Sequence, residues 1–577
     1  MLHSPVICFF RILLLVFSFY GYAQFISKKI AVDFSAAVLF SSFGCIMFFA
    51  GILNILREAS VLLCLGGVVL GVRSILARET PKKLLSKGTV FFVLVSIYLA
   101  FLLYGRKFIH YDDFSHWALV VKQIVTFSKF PNFDSYGILF PSYPLGSASF
   151  IYYFAKLSGI ESEWFYMLSQ SMLVAAFLSS LFAFSKNRLS DIITAAAALF
   201  MLVGNVNPVN LLVDTLLPCA AIAGIAFCVY YRDCIKDKCL YLIPFTVFIV
   251  SVKNSGIFFA AVIVLYALFC GRKTLRANIV RWASVAAAPF LSVYLWQRHV
   301  DMVFDHGMNS KHAMDLKSYS TLFSQKSGSS ISDIIVSVSK HFFSLENPVL
   351  WFIVFELLLF LIIKILPPKK EYHAELPLLA LISLIGYEIG LVGMYIFSMP
   401  DYEASYLAGY DRYYRTIIIF ITALLLIHTV GIVNESETKS RKAVLPIAVS
   451  LLFALSSYLC VNPNLKLYTQ KYEPGKREKF DRLIESYDIP VGKSYIVTLT
   501  EEDSGYLEFM TGYLLSPEKS AITGEKWLSE NPAELANYDY LIIIDRNEGI
   551  DSFLQEHFPD RNDEVFALGE AYAAPAV

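Results

Sequence analysis

Two adjacent carboxylates, Asp112 and Asp113, sit in the run His110-Tyr111-Asp112-Asp113-Phe114-Ser115-His116-Trp117. A carboxylate beside a hydroxyl can take its proton as the oxygen attacks an electrophile, which is general-base chemistry. His116 follows Asp112 by four residues, so a helix beginning here puts both on one face, where the imidazole would orient the carboxylate. A histidine resting at a membrane interface is the plainer reading and the preferred one. Farther along stand Asp214, within Asn-Pro-Val-Asn-Leu-Leu-Val-Asp, and Lys253, within Val252-Lys253-Asn254-Ser255-Gly256. Later come Asp401-Tyr402-Glu403 and Asp411-Arg412-Tyr413-Tyr414-Arg415. An arginine at a membrane surface suits bidentate phosphate binding and suits lipid headgroups equally. The stretch 299–347 adds His299, Asp301, Asp305, His306 and His312 without a metal-ligand spacing such as H-E-x-x-H. It reads as a solvated loop leading into an amphipathic segment, 331–343, with a lid as the alternative.

The elements that must position these groups are membrane spans. Of 577 residues, 56% are hydrophobic and 17% charged, against roughly 45–50% and 25% in soluble domains. Mean hydropathy is +0.57. Lys+Arg and Asp+Glu both number 48, which gives no support to a nucleic-acid partner. Apolar runs suited to ~30 Å of hydrocarbon fall at 6–26, 31–56, 59–77, 89–105, 164–184, 190–205, 218–231, 240–252, 256–270, 282–298, 348–366, 376–397, 414–432 and 444–461, about 14 spans. Basic pairs or clusters from Lys28/Lys29 to Lys439–Lys442 fall on alternate connections. By the positive-inside rule this places both termini and the loops 106–163, 299–347 and 399–413 outside the cytoplasm. The apolar run 145–158 is about 21 Å long as a helix, too short to cross, and reads as a juxtamembrane or re-entrant helix.

Charge then divides the chain. Residues 462–577 carry 22 acidic and 11 basic residues, leaving 26 acidic and 37 basic in the first 461. The tail alternates helical and strand patterns: helix 475–487, strand 494–500, helix 503–515, strand 520–523, helix 526–535 and strand 540–544. This is a small α/β domain with a parallel sheet. It has no glycine-rich phosphate loop. The nine cysteines all lie before residue 462, in no spacing typical of zinc.

The stretch from Asp112 onward resembles the first extracytoplasmic loop of GT-C-type membrane glycosyltransferases, distantly those of the protein mannosyltransferase and aminoarabinose transferase group. It has the acidic pair, an amphipathic segment Trp117–Phe127 suited to a membrane surface, Phe130-Pro131, and the closing turn Tyr143-Pro144-Leu145-Gly146. The family's turn has a double proline, and its acidic pair follows the first span rather than the fourth. Three segments are therefore expected: additional N-terminal helices at 1–88, a GT-C-like transmembrane core at 89–461 with its outer catalytic loop at 106–163, and a soluble extracytoplasmic α/β domain at 462–577. The fold class expected is mainly α, a polytopic helical membrane protein with that small domain outside. The resemblance implies an inverting transfer of a sugar from a polyprenyl-phosphate-linked donor to a cell-envelope glycan, lipid or protein. It implies Asp112 as base with Asp113 second, and Asp214, Lys253, Glu403, Arg412 and Tyr413, with His116, as substrate-binding residues. Asp214 also fits a helix cap and Lys253 a snorkelling lysine. A divalent cation stays open as cofactor, with no metal motif to hold it. A polysaccharide polymerase or ligase, or a non-enzymatic transporter or flippase of lipid-linked glycan, are the alternative readings.

Overall fold

Runs of Leu, Phe, Ile, Val and Ala with few breakers favour helix, and helices dominate the computed structural model. It describes residues 5–79, 84–304, 316–344, 375–435, 477–487, 492–500, 505–559 and 563–568. Among them, eight helices are long and apolar enough to cross a membrane: Pro5–Ile26, Val32–Ile52, Leu56–Leu76, Glu163–Phe184, Gly256–Thr274, Arg276–Val303, Glu375–Phe397 and Tyr410–Asn434. Each coincides with an expected span. The expected spans 89–105 and 218–231 are the shorter apolar helices Lys87–Leu103 and Leu216–Tyr230. Those at 190–205 and 240–252 are Arg188–Asn205 and Ile243–Val252. The remaining two, 348–366 and 444–461, lie outside the described residues, as do Asp305, His306 and His312.

The described chain forms two compact units, Met1–Tyr104 with Phe140–Gln470, and Gly105–Leu139 with Lys471–Val577. In the first, Leu216–Tyr230 is the innermost helix. It is apolar on every side and buried from Leu216 through Val229, as expected of a helix with no face for water. It packs on Glu163–Ser179, Gly256–Gly271 and Tyr410–Glu435. Helices Pro5–Ile26 and Leu56–Leu76 pack together through small residues: a Cβ on Gly21 would lie 2.0 Å from the Gly67 carbonyl oxygen. The run expected to be juxtamembrane or re-entrant is the helix Gly146–Ser158, buried along nearly its whole length against Ser35–Ile52 and Glu163–Ser179.

The second unit is built on a four-stranded sheet, ordered β2-β1-β3-β4. Strands β1 (Tyr495–Thr498), β2 (Ser520–Thr523) and β3 (Tyr540–Ile543) are parallel, and β4 (Val565–Ala567) runs antiparallel to β3. Every residue of β1 is buried, as a central parallel strand covered on both faces must be. Ile496, Leu541 and Ile543 pack with Ile550, Phe553 and Phe566 in the core. Strand β4 and the helix Glu548–His557 were not expected from the sequence. The segment 105–139 belongs to this unit. It turns π-helical over Asp113–Trp117 and continues as the helix Ala118–Phe127.

Candidate functional site

The first unit draws together four of the residues singled out by type. Asp214 occupies the turn before helix Leu216–Tyr230. The preceding loop is held by two Asx turns: Val209 N–H donates to Asn207 Oδ1 at 3.0 Å and Leu212 N–H to Asn210 Oδ1 at 3.2 Å. Lys253 is extended and ends helix Ile243–Val252, and the Gly256 N–H donates to its carbonyl at 2.9 Å. Arg412 stands in the first turn of helix Tyr410–Glu435, just after Gly409, whose φ of +72° is a left-handed conformation natural to glycine.

These three chain positions converge on one carboxylate. Lys253 Nζ donates to Asp214 Oδ1 at 2.7 Å, and Arg412 Nε lies 3.4 Å from Oδ2. Tyr413 joins them: Lys253 Nζ and the Arg412 guanidinium carbon each lie 5.2 Å from its ring centre. Aromatic faces attract cations at such distances. The Asp214 and Lys253 side chains are 8% and 10% exposed, whereas Arg412 is 36% exposed. Burial pushes the Asp214 carboxyl up, but the charges of Lys253 and Arg412 and the Lys253 hydrogen bond outweigh it and hold the group below the usual aspartate range. The cluster therefore brings an ammonium and a guanidinium to one carboxylate, with Arg412 the more exposed of the two cations. Such an arrangement favours an anion with several acceptor oxygens. Glu403 lies in the short helix Asp401–Ser405, and its carboxylate accepts from the Tyr402 hydroxyl at 2.8 Å.

The second unit holds Asp112, Asp113 and His116. Asp112 is partly exposed and precedes the π turn, its N–H donating to His110 Nδ1 at 3.2 Å. Asp113 and His116 are buried, at 0% and 3% exposure. Of the acidic pair, Asp112 is thus the more exposed. A π turn widens one turn of helix and often marks functional positions. The following helix was expected to lie on a membrane surface. Instead Leu119, Val120, Val121, Ile124 and Val125 are buried within the protein. Lys122, from its polar side, donates to the carbonyls of Tyr513 and Leu514 at 2.7 and 2.9 Å.

Three residues were missed by the sequence reading, two in the second unit and one, Glu388, in the first. Arg477, 2% exposed, donates to the Phe108 carbonyl at 2.5 Å and lies 3.3 Å from Asp481. Its guanidinium sits 5.9 and 5.8 Å from the ring centres of Phe114 and Tyr513. The Tyr136 hydroxyl donates to the Ser520 carbonyl of β2. Glu388, inside Glu375–Phe397 and 7% exposed, accepts from the Tyr410 hydroxyl at 3.2 Å. A lone acidic residue in an apolar run was the available signal for Glu388; the other two depend on contacts distant in sequence. Among the described residues, no group of three His, Cys, Asp or Glu is placed to hold a metal ion. No family model, curated protein or solved structure matches this chain.

Proposed function

We propose that the chain is a multi-pass membrane glycosyltransferase of GT-C type, taking a sugar from a polyprenyl-phosphate-linked donor at the extracytoplasmic surface and passing it to a cell-envelope acceptor. The observation that carries this reading is the convergence of Lys253 and Arg412 on buried Asp214. It sets an ammonium and a guanidinium side by side, backed by the Tyr413 ring, at the ends of apolar helices. An amphiphile with a phosphate head and an isoprenoid tail needs both properties in one place. In the reaction, the acceptor hydroxyl loses its proton to Asp112 as its oxygen forms a bond to the anomeric carbon. The bond from that carbon to the phosphate oxygen breaks, its electron pair leaves with the phosphate, and Lys253 and Arg412 stabilise the charge that develops there. Asp113 serves as the second carboxylate, orienting the acceptor or Asp112; His116 and Glu403 bind substrate, and attack opposite the leaving phosphate inverts the anomeric centre.

The test is release of polyprenyl phosphate from a labelled lipid-linked sugar by the purified chain in lipid. Asp112→Asn is expected to lower transfer by at least about 100-fold with unchanged expression and melting behaviour. Transfer at the wild-type rate would refute the assignment. A transporter of lipid-linked glycan is the second reading. The observation favouring it is Glu388, a carboxylate inside an apolar helix, since ionisable groups at such depth often serve transport.

A further inference from the structure

Within the second unit, a cleft of about 190 Å³ opens between the 105–139 segment and the outer edge of the sheet. Phe114, Leu119, Tyr136, Phe509 and Ile522 line it, with Gly512 in its wall and Glu508 at its rim. We propose that this cleft binds one pyranose ring of a saccharide, which on the glycosyltransferase reading is the acceptor sugar.

Size comes first. The volume is below the roughly 300–1,000 Å³ of sites for drug-sized ligands, so it suits a single ring and is too small for a lipid tail or a folded partner. The lining supplies the two surfaces a sugar needs. Tyr136 and Phe509 offer apolar rings for the C–H face of a pyranose, and Tyr136 is 40% exposed while its hydroxyl is tied to the Ser520 carbonyl. The exposed Glu508 carboxylate offers acceptor oxygens for hydroxyl or ammonium groups. A peptide added as a strand is disfavoured by the same tie, because Tyr136 already occupies an outward-facing carbonyl of edge strand β2. Strand addition needs that row of groups vacant.

Gly512 is the second, independent observation. It lies inside helix Tyr506–Leu515, where glycine costs about 1 kcal/mol relative to alanine. Its φ is not positive, and nothing lies within 4 Å of the position a Cβ would take. Neither backbone conformation nor close packing requires glycine here; its effect is to leave the wall of the cleft open, where a large side chain would fill it. Phe114, which forms another part of the lining, follows Asp113 directly in the chain. A ring in the cleft would therefore lie beside the segment that carries the acidic pair.

The experiment is saturation-transfer NMR on the full chain in lipid nanodiscs, with methyl glycosides of glucose, galactose, mannose, glucosamine, N-acetylglucosamine and glucuronic acid. At least one neutral or amino sugar should show saturation at its ring C–H protons, and glucuronic acid, repelled by Glu508, should show the least. Gly512→Trp fills the cleft and should weaken binding at least tenfold. Gly512→Ala should retain both binding and helix content, and Phe509→Ala should weaken binding without altering far-ultraviolet circular dichroism. Saturation of none of the glycosides, or equal binding in Gly512→Trp, would overturn the proposal. Capture of an extended peptide in place of every glycoside would do the same. Asp112→Asn separates the two claims. Gly512-dependent sugar binding in a wild-type chain that transfers nothing sinks the enzyme reading alone. Asp112-dependent transfer by a chain that binds no glycoside sinks the cleft alone.

Discussion

The Asp214–Lys253 pair makes a quantitative claim. Both side chains are about nine-tenths buried and 2.7 Å apart, so removing one partner strands the other in a poorly solvated place. Losses of that kind run to about 3–5 kcal/mol. The second pair shares the carboxylate but differs in environment: Arg412 is 36% exposed and its Nε is 3.4 Å away. Solvent screening reduces such a contact to roughly 0.2–1 kcal/mol. A double-mutant cycle with Asp214→Asn and Lys253→Met should therefore give a coupling of about 3 kcal/mol. The cycle with Asp214→Asn and Arg412→Met should give about 1 kcal/mol or less. Equilibrium unfolding of the full chain by SDS in mixed micelles, followed by tryptophan fluorescence, provides the free energies. A Lys253 coupling below about 1 kcal/mol, or one no larger than that of Arg412, would show a snorkelling lysine and refute the reasoning. Acidity supplies a check of sign. Asp214 titrates below its unfolded value of about 3.9, so the unfolded chain takes up the proton first. The stabilisation is whole above about pH 5 and is lost as pH falls past the unfolded value toward the folded one. The difference between wild type and Asp214→Asn should be flat from pH 8 to about 5 and shrink below about 4.

Two further substitutions test the packing that holds the candidate residues. Arg477→Met removes the donor to the Phe108 carbonyl and the partner of Asp481; trypsin should then cut at exposed Lys129 roughly tenfold faster or more, and an unchanged rate would mean that Arg477 does not tether 105–139. Gly21→Leu drives a side chain into the backbone of Gly67 and Gly71 and should abolish monodisperse protein on size-exclusion chromatography, whereas Gly71→Ala meets the Phe17 ring at 2.9 Å, which can turn aside, and should be tolerated.

How much of this was legible in the sequence depends on the range of the interaction concerned. The apolar runs marked the helices because burial of a whole helix needs no partner to be named. The same local logic placed β1 and β2, where short apolar runs are bounded by turn residues. Strand β4 escaped because three residues, Val565–Ala567, carry too little pattern. Helix Glu548–His557 had a readable start, since Asn547 Oδ1 accepts from the Ile550 N–H at 2.8 Å, a recognisable N-cap. Asp214, Lys253 and Arg412 were each suspected from type and position, but no local rule says that three distant turns share one carboxylate. Arg477 was hidden for the opposite reason: a charged residue in an amphipathic helix reads as solvated, and only the tertiary fold buries it. The segment 105–139 read as an outer loop of the helical core, while it packs with the tail as one unit, through Phe114, Tyr506 and Tyr513.

Glu388 offers a way to decide between covalent chemistry and transport. It is the fourteenth residue of Glu375–Phe397, about 20 Å along the helix axis from the first at 1.5 Å per residue. One of its oxygens accepts from Tyr410, the residue two before Arg412. Glutamine keeps that carbonyl oxygen and the side-chain length but cannot take up or release a proton. If Glu388 serves only to position Tyr410 at the start of the helix that carries Arg412, Glu388→Gln preserves the hydrogen bond. Stability should then change by no more than about 1 kcal/mol, and sugar transfer should stay within about twofold, which is under 0.5 kcal/mol of barrier. If the molecule instead moves its substrate by cycling a proton through the membrane helices, the same substitution stops movement while leaving binding of the lipid-linked sugar intact. Glu388→Ala removes the acceptor in either case and should lower stability, which confirms that the Tyr410 bond exists. Retained transfer in Glu388→Gln together with loss in Asp112→Asn supports the enzyme. Proton-dependent movement of labelled lipid across sealed vesicles, abolished by Glu388→Gln and indifferent to Asp112→Asn, would refute it.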